Sequence, residues 1–167
     1  MRETTRKTKH KSADRPRLVA VLAFEGAQLL DVAGPVQAFA SANEIAEEAG
    51  GAAPYRVVAV SRCGGAVTTT SGLPLVTEPM ARATGKSQID TLIVSGGAGI
   101  HDALCDAKIV AWVRRQASSV RRVASVCTGA FLLAEAGLLT GRRALPRDRG
   151  VAPRRCGDDD LGTTTCH

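Results

Sequence analysis

The sequence predicts an α/β fold, in which a doubly wound parallel sheet carries helices on both faces. Several short apolar runs, rich in β-branched residues, have the length of buried strands, and they lie at 18–24, 55–60, 90–94 and 123–126. Segments with a helical spacing of apolar residues separate several of these runs. Strands that alternate with helices are typical of a parallel sheet, so we expect that architecture here.

The expected helices cover 36–49, 102–119 and 130–136. The first of them is expected to begin at Gly34-Pro35, because proline suits the first helical turn and the residue before it avoids the α region. Asp31 would then lie on the loop between the first strand and this helix. Residues 62–78 contain several turn-forming residues, and apolar positions alternate with polar ones between the turns. This pattern predicts a small antiparallel excursion from the parallel sheet rather than a helix.

Cys127 lies at the junction of the last predicted strand and the last predicted helix. A strand that turns sharply into a helix exposes the residue at the turn, as in a nucleophile elbow. Gly129 would allow the helix to approach the strand closely. The unpaired N–H groups of a helix N-terminus stabilise a thiolate. A small buried cysteine is the alternative, but the order strand, cysteine, glycine and helix favours a functional thiol.

Three loops are expected to meet at one edge of the sheet. They carry Asp31, Gly96-Gly97 and Cys127, and each follows a predicted strand. Ligands of doubly wound sheets bind beyond the carboxyl ends of the strands. The Gly96-Gly97 turn lacks the dinucleotide-binding spacing, but its N–H groups could form an oxyanion hole. A tight turn and a helix-capping carboxylate are the simpler interpretations of these loops.

The composition is that of one ordinary globular domain. The chain has 167 residues, of which 44% are hydrophobic and 3% aromatic, and so few aromatic side chains argue against a base-stacking module. No apolar run reaches the length of a membrane span and no secretory signal is evident, so we expect a cytoplasmic protein. The five cysteines are odd in number and lack C-x-x-C spacing, which predicts neither a zinc site nor a disulfide framework.

The residues resemble those of the ThiJ/PfpI superfamily, whose domain is flavodoxin-like and similar to class I glutamine amidotransferases. The resemblance covers about Arg17–Ala144 and rests on Leu29–Pro35, Ile93–Gly97 and Ala124–Ala130. Within it, Gly137–Ala144 is most similar to the N-terminal domain of AraC-type transcriptional regulators. In those regulators, the domain is a small-molecule sensor joined to a DNA-binding module.

The resemblance implies a role for each residue of the predicted site. Cys127 matches the elbow cysteine, and Asp31 matches the acidic partner that hydrogen-bonds its sulfur. Gly97, with its neighbour Gly96, and Thr128 would supply backbone donors to a ligand. The resemblance implies no cofactor and no metal. An aspartate with Cys-Thr is also the pattern of isonitrile hydratases, which are cofactor-free enzymes of this superfamily.

Several functions therefore remain open from the sequence. The first is the ligand-sensing domain of an AraC-type regulator, homo-oligomeric, with DNA contacted only through a module absent here. The second is a cysteine-dependent enzyme similar to isonitrile hydratase, and the third is a chaperone-like or oxidation-sensing protein. None of the three implies a membrane.

Both ends of the chain depart from the expected domain. Residues 1–16 are basic and are expected to form a disordered leader, whereas 17–144 form the ThiJ/PfpI-like domain. Residues 145–167 lack apolar periodicity where the resembled proteins continue with further strands. We expect this tail to be irregular and non-native, and the domain to be C-terminally truncated, through a frameshift or because the sequence is a gene fragment. The resembled proteins continue after the position of Ala144 with Thr-Thr-His-Trp, so the resemblance implies that their catalytic-type histidine is missing here. His101 and His167 are poor substitutes by position.

Overall fold

The computed structural model describes residues 15–83 and 88–141. These residues form strands and helices in an alternating order. In chain order the elements are β1 (Arg17–Leu22), α1 (Leu29–Glu48), β2 (Tyr55–Ser61), β3 (Gly65–Thr68), β4 (Pro74–Pro79), α2 (Met80–Ala83), β5 (Ile89–Val94), α3 (Ile100–Cys105), α4 (Ala107–Ala117), β6 (Arg122–Ser125) and α5 (Gly129–Glu135). The predicted leader 1–16 lies outside the described residues except for its last two, and the predicted tail 145–167 lies entirely outside them.

The described strands form one mixed, mostly parallel sheet of six strands, in the order β3-β4-β2-β1-β5-β6. The pairs β1–β2, β1–β5, β2–β4 and β5–β6 are parallel, and β3–β4 is antiparallel. This confirms the predicted fold class, and the antiparallel pair is the excursion expected at 62–78. The chain leaves β1 toward one side of the sheet and β5 toward the other, so the carboxyl ends of these two neighbours define a switch point.

The core lies around β1, which is central in the sheet and covered on both faces. Val19, Ala20, Val21 and Leu22 of this strand are fully buried. Helix α1 packs on β1 and β2, whereas α3, α4 and α5 pack on one another, and both α4 and α5 contact β5. Trp112 of α4 is 2% exposed and is among the largest buried side chains. Helix α1 is also fixed to β2 at Tyr55, whose backbone N–H and C=O both bond the Asn43 amide.

Helix α1 begins earlier than expected, which corrects the position predicted for Asp31. The helix starts at Leu29, so Asp31 lies in its first turn and Pro35 lies inside the helix. Tertiary bonds explain the difference: Gln28 N–H donates to the Gly96 carbonyl oxygen at 2.8 Å, and the Asp31 carboxylate accepts from Gly96 N–H. These contacts fix the first helical turn ahead of the proline, where local preferences alone favoured a loop.

The single helix expected at 102–119 is two helices, α3 and α4, and Asp106 lies between them. The Asp106 carboxylate accepts from the N–H groups of Lys108 and Ile109, at 2.9 and 3.3 Å, and so caps α4. It also pairs with Arg62. A cap on a new helix and an ion pair to another segment together stabilise the break, which apolar periodicity did not reveal.

Cys63 and Cys105 are both disulfide-bonded. The expectation that this chain would form no disulfides is therefore wrong for these two residues. Neither an odd cysteine count nor the missing C-x-x-C spacing excludes a bond between segments that are distant in sequence and joined only by the fold.

None of the helices described is both long and apolar enough to cross a membrane.

Candidate functional site

The candidate site lies at the carboxyl ends of β1, β5 and β6, where the loops that follow these strands meet. The first loop leads into α1 and carries Asp31. The second is the Gly96-Gly97 turn after β5, and the third is the elbow at Cys127. The carboxyl ends of parallel strands share one sheet edge, so the sequence correctly predicted that these loops meet there.

Cys127 has a backbone conformation that sets it apart from the rest of the described chain. Its φ is +52°, and it is the one non-glycine residue with positive φ among residues 15–83 and 88–141. The side chain is exposed and its thiol is free. A non-glycine residue rarely adopts this left-handed conformation, and such strain clusters at functional sites. The geometry is that of an elbow with the thiol at its tip.

The elbow is held against the sheet by close backbone contacts. Val126 N–H donates to the Val94 carbonyl oxygen at 2.9 Å, which continues the β5–β6 pairing up to the cysteine. A Cβ atom at Gly129 would lie 2.5 Å from the Val94 oxygen and 2.7 Å from the Ser95 oxygen. Only glycine therefore allows α5 to start this close to β5, as the sequence indicated.

Asp31 is bonded to the glycine turn. The residue is 8% exposed, and its Oδ2 accepts a hydrogen bond from Gly96 N–H at 3.1 Å. This bond joins the first turn of α1 to the end of β5. The expected bond between Asp31 and the Cys127 sulfur stays a prediction.

Thr128 completes the same cluster from the elbow side. Gly97 N–H donates to Thr128 Oγ1 at 3.0 Å, and the Thr128 hydroxyl lies 3.4 Å from the Gly97 carbonyl oxygen. A Cβ atom at Gly96 would lie 2.6 Å from Thr128 N, 2.7 Å from Thr128 Oγ1 and 3.0 Å from Asp31 Oδ2. The structure thus brings Asp31, Gly96, Gly97 and Thr128 together beside Cys127.

The hydrogen bonds within the site determine which backbone N–H groups remain available to bind a ligand. The N–H groups of Gly96 and Gly97 already have protein acceptors. The N–H groups of Cys127 and Thr128 have no hydrogen-bond partner within the described part of the chain. A ligand oxygen would therefore meet unpaired donors at the elbow, whereas at the glycine turn it would have to share them. The ligand-binding roles predicted for Gly96, Gly97 and Thr128 stay predictions.

The turn of the β3–β4 hairpin contacts the loop that leads into α1, and the sequence did not predict this. Gly26 N–H donates to the Thr68 carbonyl oxygen at 2.8 Å, and Thr70 N–H donates to the Ala27 carbonyl oxygen at 2.9 Å. The Thr70 hydroxyl also donates to Gln28 Oε1 at 2.7 Å. On its other side, Ala27 bridges to Gly97. These bonds join residues about 40 positions apart, and no local pattern signals such pairing.

The charged groups with clear pKa shifts lie away from the elbow. Asp90 and Arg121 form a two-pronged ion pair at the start of β5 and β6, with N–O distances of 2.6 and 2.7 Å. The hydrogen bond from Arg121 holds the pKa of Asp90 below its usual value. Within the described residues, no group of three or more His, Cys, Asp or Glu side chains could hold a metal ion.

Fold and site together define an α/β protein with a cysteine at a strand-to-helix elbow. Residues 17–145 match the DJ-1/PfpI family. The chain belongs to that family, as its resemblance to the ThiJ/PfpI superfamily implied.

Its relatives include both enzymes and regulators. The "Uncharacterized protein in cpoL 5′ region" of Streptomyces lividans is 39% identical over 143 residues, which cover 84% of this chain and 96% of that protein. Isonitrile hydratase of Pseudomonas putida is 33% identical over 126 residues, 75% of this chain and 50% of the enzyme. The HTH-type transcriptional regulator GbdR of Pseudomonas aeruginosa is 32% identical over 126 residues, 75% of this chain and 32% of the regulator.

A solved structure shows the same fold. The ThiJ/PfpI family protein of Pseudomonas syringae aligns with a TM-score of 0.64 and 24% identity, over 83% of this chain and 53% of that one. The chain thus spans about half the length of the isonitrile hydratase and of this structure, and a smaller share of the regulator.

Proposed function

We propose that this domain binds a small molecule at the elbow and is the sensory part of an AraC-type transcriptional regulator. The observation that carries the proposal is the exposed Cys127 thiol, which stands on a left-handed backbone beside loops already bonded to one another. A site whose walls are fixed in advance loses little entropy when a ligand binds. The regulator GbdR supports this choice, because a protein named as an HTH-type regulator shares this domain.

In a sensor, the elbow would recognise its ligand without transforming it. The unpaired N–H groups of Cys127 and Thr128 suit an oxygen atom of the ligand, such as a carboxylate or carbonyl oxygen. The thiol would contact a neighbouring part of the same molecule. DNA would be contacted through a helix-turn-helix module of the kind named in the regulator relative. We further propose that the protein acts in the cytoplasm as a homo-oligomer.

The second candidate is a cysteine-dependent hydratase, which the similarity to isonitrile hydratase favours. The Cys127 sulfur would attack the terminal carbon of an isonitrile, forming a C–S bond while that carbon gains a proton. Water would add to the resulting thioimidate, the C–S bond would break, and an N-substituted formamide would leave with the thiol restored. Asp31 would carry the proton, since its Oδ1 has no hydrogen-bond partner within the described chain while Oδ2 holds Gly96.

One experiment separates the two candidates. The full chain is incubated with cyclohexyl isonitrile, and N-cyclohexylformamide is measured by liquid chromatography against a Cys127→Ser control. The sensor proposal expects no formamide above the control. Turnover that is lost in the Cys127→Ser variant would instead establish the hydratase.

The sensor proposal has its own positive test, which is a screen of small carboxylates and amides by thermal shift. We expect at least one compound to raise the melting temperature of the wild-type chain. The increase should be lost in Cys127→Ser but kept in Arg115→Ala, which changes an exposed residue of α4. Stabilisation that is equal in all the variants would place binding elsewhere and contradict the proposal.

A further inference from the structure

Arginine side chains gather at the edge of the sheet opposite the elbow, where the strands begin. Arg17 is the first residue of β1, Arg122 is the first residue of β6, and Arg121 immediately precedes β6. Helix α4 runs back from the carboxyl edge and carries Arg114 and Arg115 in its last turn. All five residues are exposed. Neither the sensor nor the hydratase uses this part of the molecule.

Hydrogen bonds place the end of α4 beside the start of β5 and β6. Gln88 Nε2, just before β5, donates to the carbonyl oxygen of Ser119, just after the helix, at 2.9 Å. Arg121 N–H donates to the Asp90 carbonyl oxygen at 2.9 Å. The arginines of the helix and of the strands therefore share one surface. We call this surface the arginine edge, and it comprises Arg17, Arg114, Arg115, Arg121 and Arg122.

Asp90 neutralises part of the positive charge on the arginine edge. Its carboxylate forms the two-pronged ion pair with Arg121. The pKa of Asp90 is lowered first by the Arg121 hydrogen bond, and the nearby charge of Arg17 lowers it further. One carboxylate thus faces two arginines, and it can balance the charge of one of them.

The other arginines of this edge have no carboxylate partner within the described residues. Arg17, Arg115 and Arg122 form no ion pair there. Arg114 donates to two backbone carbonyl oxygens at the end of α5, at 3.2 and 3.4 Å. The arginine edge therefore keeps an excess of positive charge, even when Glu135 of α5 and the paired carboxylate are counted.

Acidic residues near the start of β2 lie on the other face of the sheet. Glu44, Glu47 and Glu48 are close to the end of α1. The Asn43 amide bonds the Tyr55 backbone, which fixes this part of α1 to the start of β2. Helix α1 packs on β1 and β2, whereas α4 and α5 contact β5. An anionic partner is attracted to the basic side and repelled from the acidic side, so this charge distribution orients it.

We infer that the arginine edge binds the phosphate backbone of double-stranded DNA. The planar guanidinium group matches two oxygen atoms of a phosphate with two parallel N–H bonds. Arg17 on β1 and Arg122 on β6 are two strands apart, about 10 Å, so they can reach different phosphates of the same duplex. This contact would be additional to that of a helix-turn-helix module, and it does not depend on what the elbow binds.

Two features favour a DNA duplex over a single strand and over an anionic membrane. Aromatic residues make up 3% of the chain, which is too few for the stacking that single strands require. The large apolar side chains that are exposed in the described chain belong to α1 and the β3–β4 hairpin rather than to the arginine edge. A membrane-binding surface combines basic residues with apolar residues that enter the lipid.

Fluorescence anisotropy with a short labelled duplex of mixed sequence tests the inference on the full chain. We expect binding that weakens as the salt concentration rises, because bound arginines release counterions from the DNA. Arg115→Gln/Arg122→Gln should bind about tenfold more weakly at low salt, and its salt-dependence slope should be smaller by about 2. Arg82→Gln/Lys108→Gln removes the same charge from exposed residues of α2 and of the first turn of α4, and it should bind like the wild type.

The comparison also controls for the basic residues at 1–14, because all three proteins keep them. Equal binding by all three proteins, or no binding by the wild type, would overturn the inference. Binding to phosphatidylserine vesicles but not to the duplex would also overturn it, in favour of an anionic membrane.

Arginine footprinting of the wild type decides the matter without any substitution, should a variant fail to fold. Phenylglyoxal modifies exposed arginine side chains, and mass spectrometry measures the modification at each residue. A bound duplex should protect Arg17, Arg115 and Arg122 severalfold, and it should leave Arg82 as reactive as in the free protein. Equal modification of the first three residues with and without DNA would contradict the inference.

Discussion

Cys127 combines three properties at the scale of one residue. Its backbone is left-handed, its side chain is exposed, and its thiol is free. The neighbouring Gly129 brings α5 against the Val94 and Ser95 carbonyl oxygens, which fixes the cysteine at the tip of the turn. The strain in this conformation persists because the surrounding contacts leave the chain no relaxed alternative.

We expect Cys127 to be the most reactive thiol of the described cysteines. In the oxidised protein, a limiting amount of iodoacetamide or peroxide should modify Cys127 and leave Cys63 and Cys105 unmodified, because these two are disulfide-bonded. After reduction, mass spectrometry should still find the modification at Cys127 before the other two. Equal labelling of all three reduced cysteines would be inconsistent with an activating elbow.

Asp31 has a structural role that is visible at the same scale. Its carboxylate is the acceptor of the Gly96 N–H, and both residues are buried. The charge of Asp31 and its function as an acceptor are separable, because asparagine keeps an oxygen acceptor and alanine does not.

Asp31→Ala should lower the free energy of unfolding by about 1–3 kcal/mol, because the buried Gly96 N–H loses its acceptor. Asp31→Asn should cost less stability. If the carboxylate also acts on the thiol, both variants should change how the Cys127 alkylation rate depends on pH. Chemical denaturation and stopped-flow alkylation measure the two effects. An alkylation profile that neither variant alters would restrict Asp31 to its structural role.

At the scale of the elements, the two ends of β5 and β6 have different roles. The carboxyl ends of β5 and β6 carry the glycine turn and the elbow, and their start is fixed by Asp90 and Arg121. The Arg121 hydrogen bond lowers the pKa of Asp90. A carboxyl group with a lowered folded-state pKa stabilises the fold above its unfolded pKa, and the contribution is lost as the pH falls through the folded value.

Asp90→Asn should therefore lower the melting temperature at neutral pH, by a few degrees at most, because the pair is partly exposed. The difference from wild type should shrink as the pH falls below the ordinary aspartate pKa of about 3.9, and it should vanish once the pH has passed the lower folded-state pKa of Asp90. Glu78→Gln is a suitable control, since the Arg56–Glu78 pair is longer, at 3.5 Å, and more exposed. A melting difference between Asp90→Asn and wild type that persists at low pH would show that the ion pair is not its cause.

At the scale of the whole molecule, several large apolar side chains are exposed, and β6 is an edge strand among the described residues. Leu30, Ile45, Leu73 and Val76 are 58–85% exposed, and within the described residues β6 pairs with β5 alone. Exposed edges and apolar patches favour pairing with another chain.

We therefore expect the protein to self-associate. Sedimentation velocity over a wide range of protein concentration should show a species larger than the monomer, increasing with concentration. Val76→Lys should weaken the association if the hairpin is in the contact, because Val76 is the most exposed of these side chains. A monomer at every concentration would contradict this expectation.

Several elements could be predicted from the sequence because they depend on local chemistry. Short apolar runs rich in β-branched residues marked β1, β2, β5 and β6, because their length and composition suit a buried strand better than a helix. The order of strand, cysteine, glycine and helix located the elbow at Cys127, since a glycine at 129 is needed for the close approach. Each of these features depends on residues that are neighbours in the chain.

Other features depend on contacts between distant residues, and local patterns could not predict them. Helix α1 starts at Leu29 because Gly96 bonds Gln28 and Asp31, and the 102–119 helix breaks because Asp106 both caps α4 and pairs with Arg62. The contact between the β3–β4 hairpin and the loop into α1 likewise joins residues about 40 positions apart. Local propensity differs by fractions of a kcal/mol per residue, and a few buried hydrogen bonds or an ion pair outweigh it.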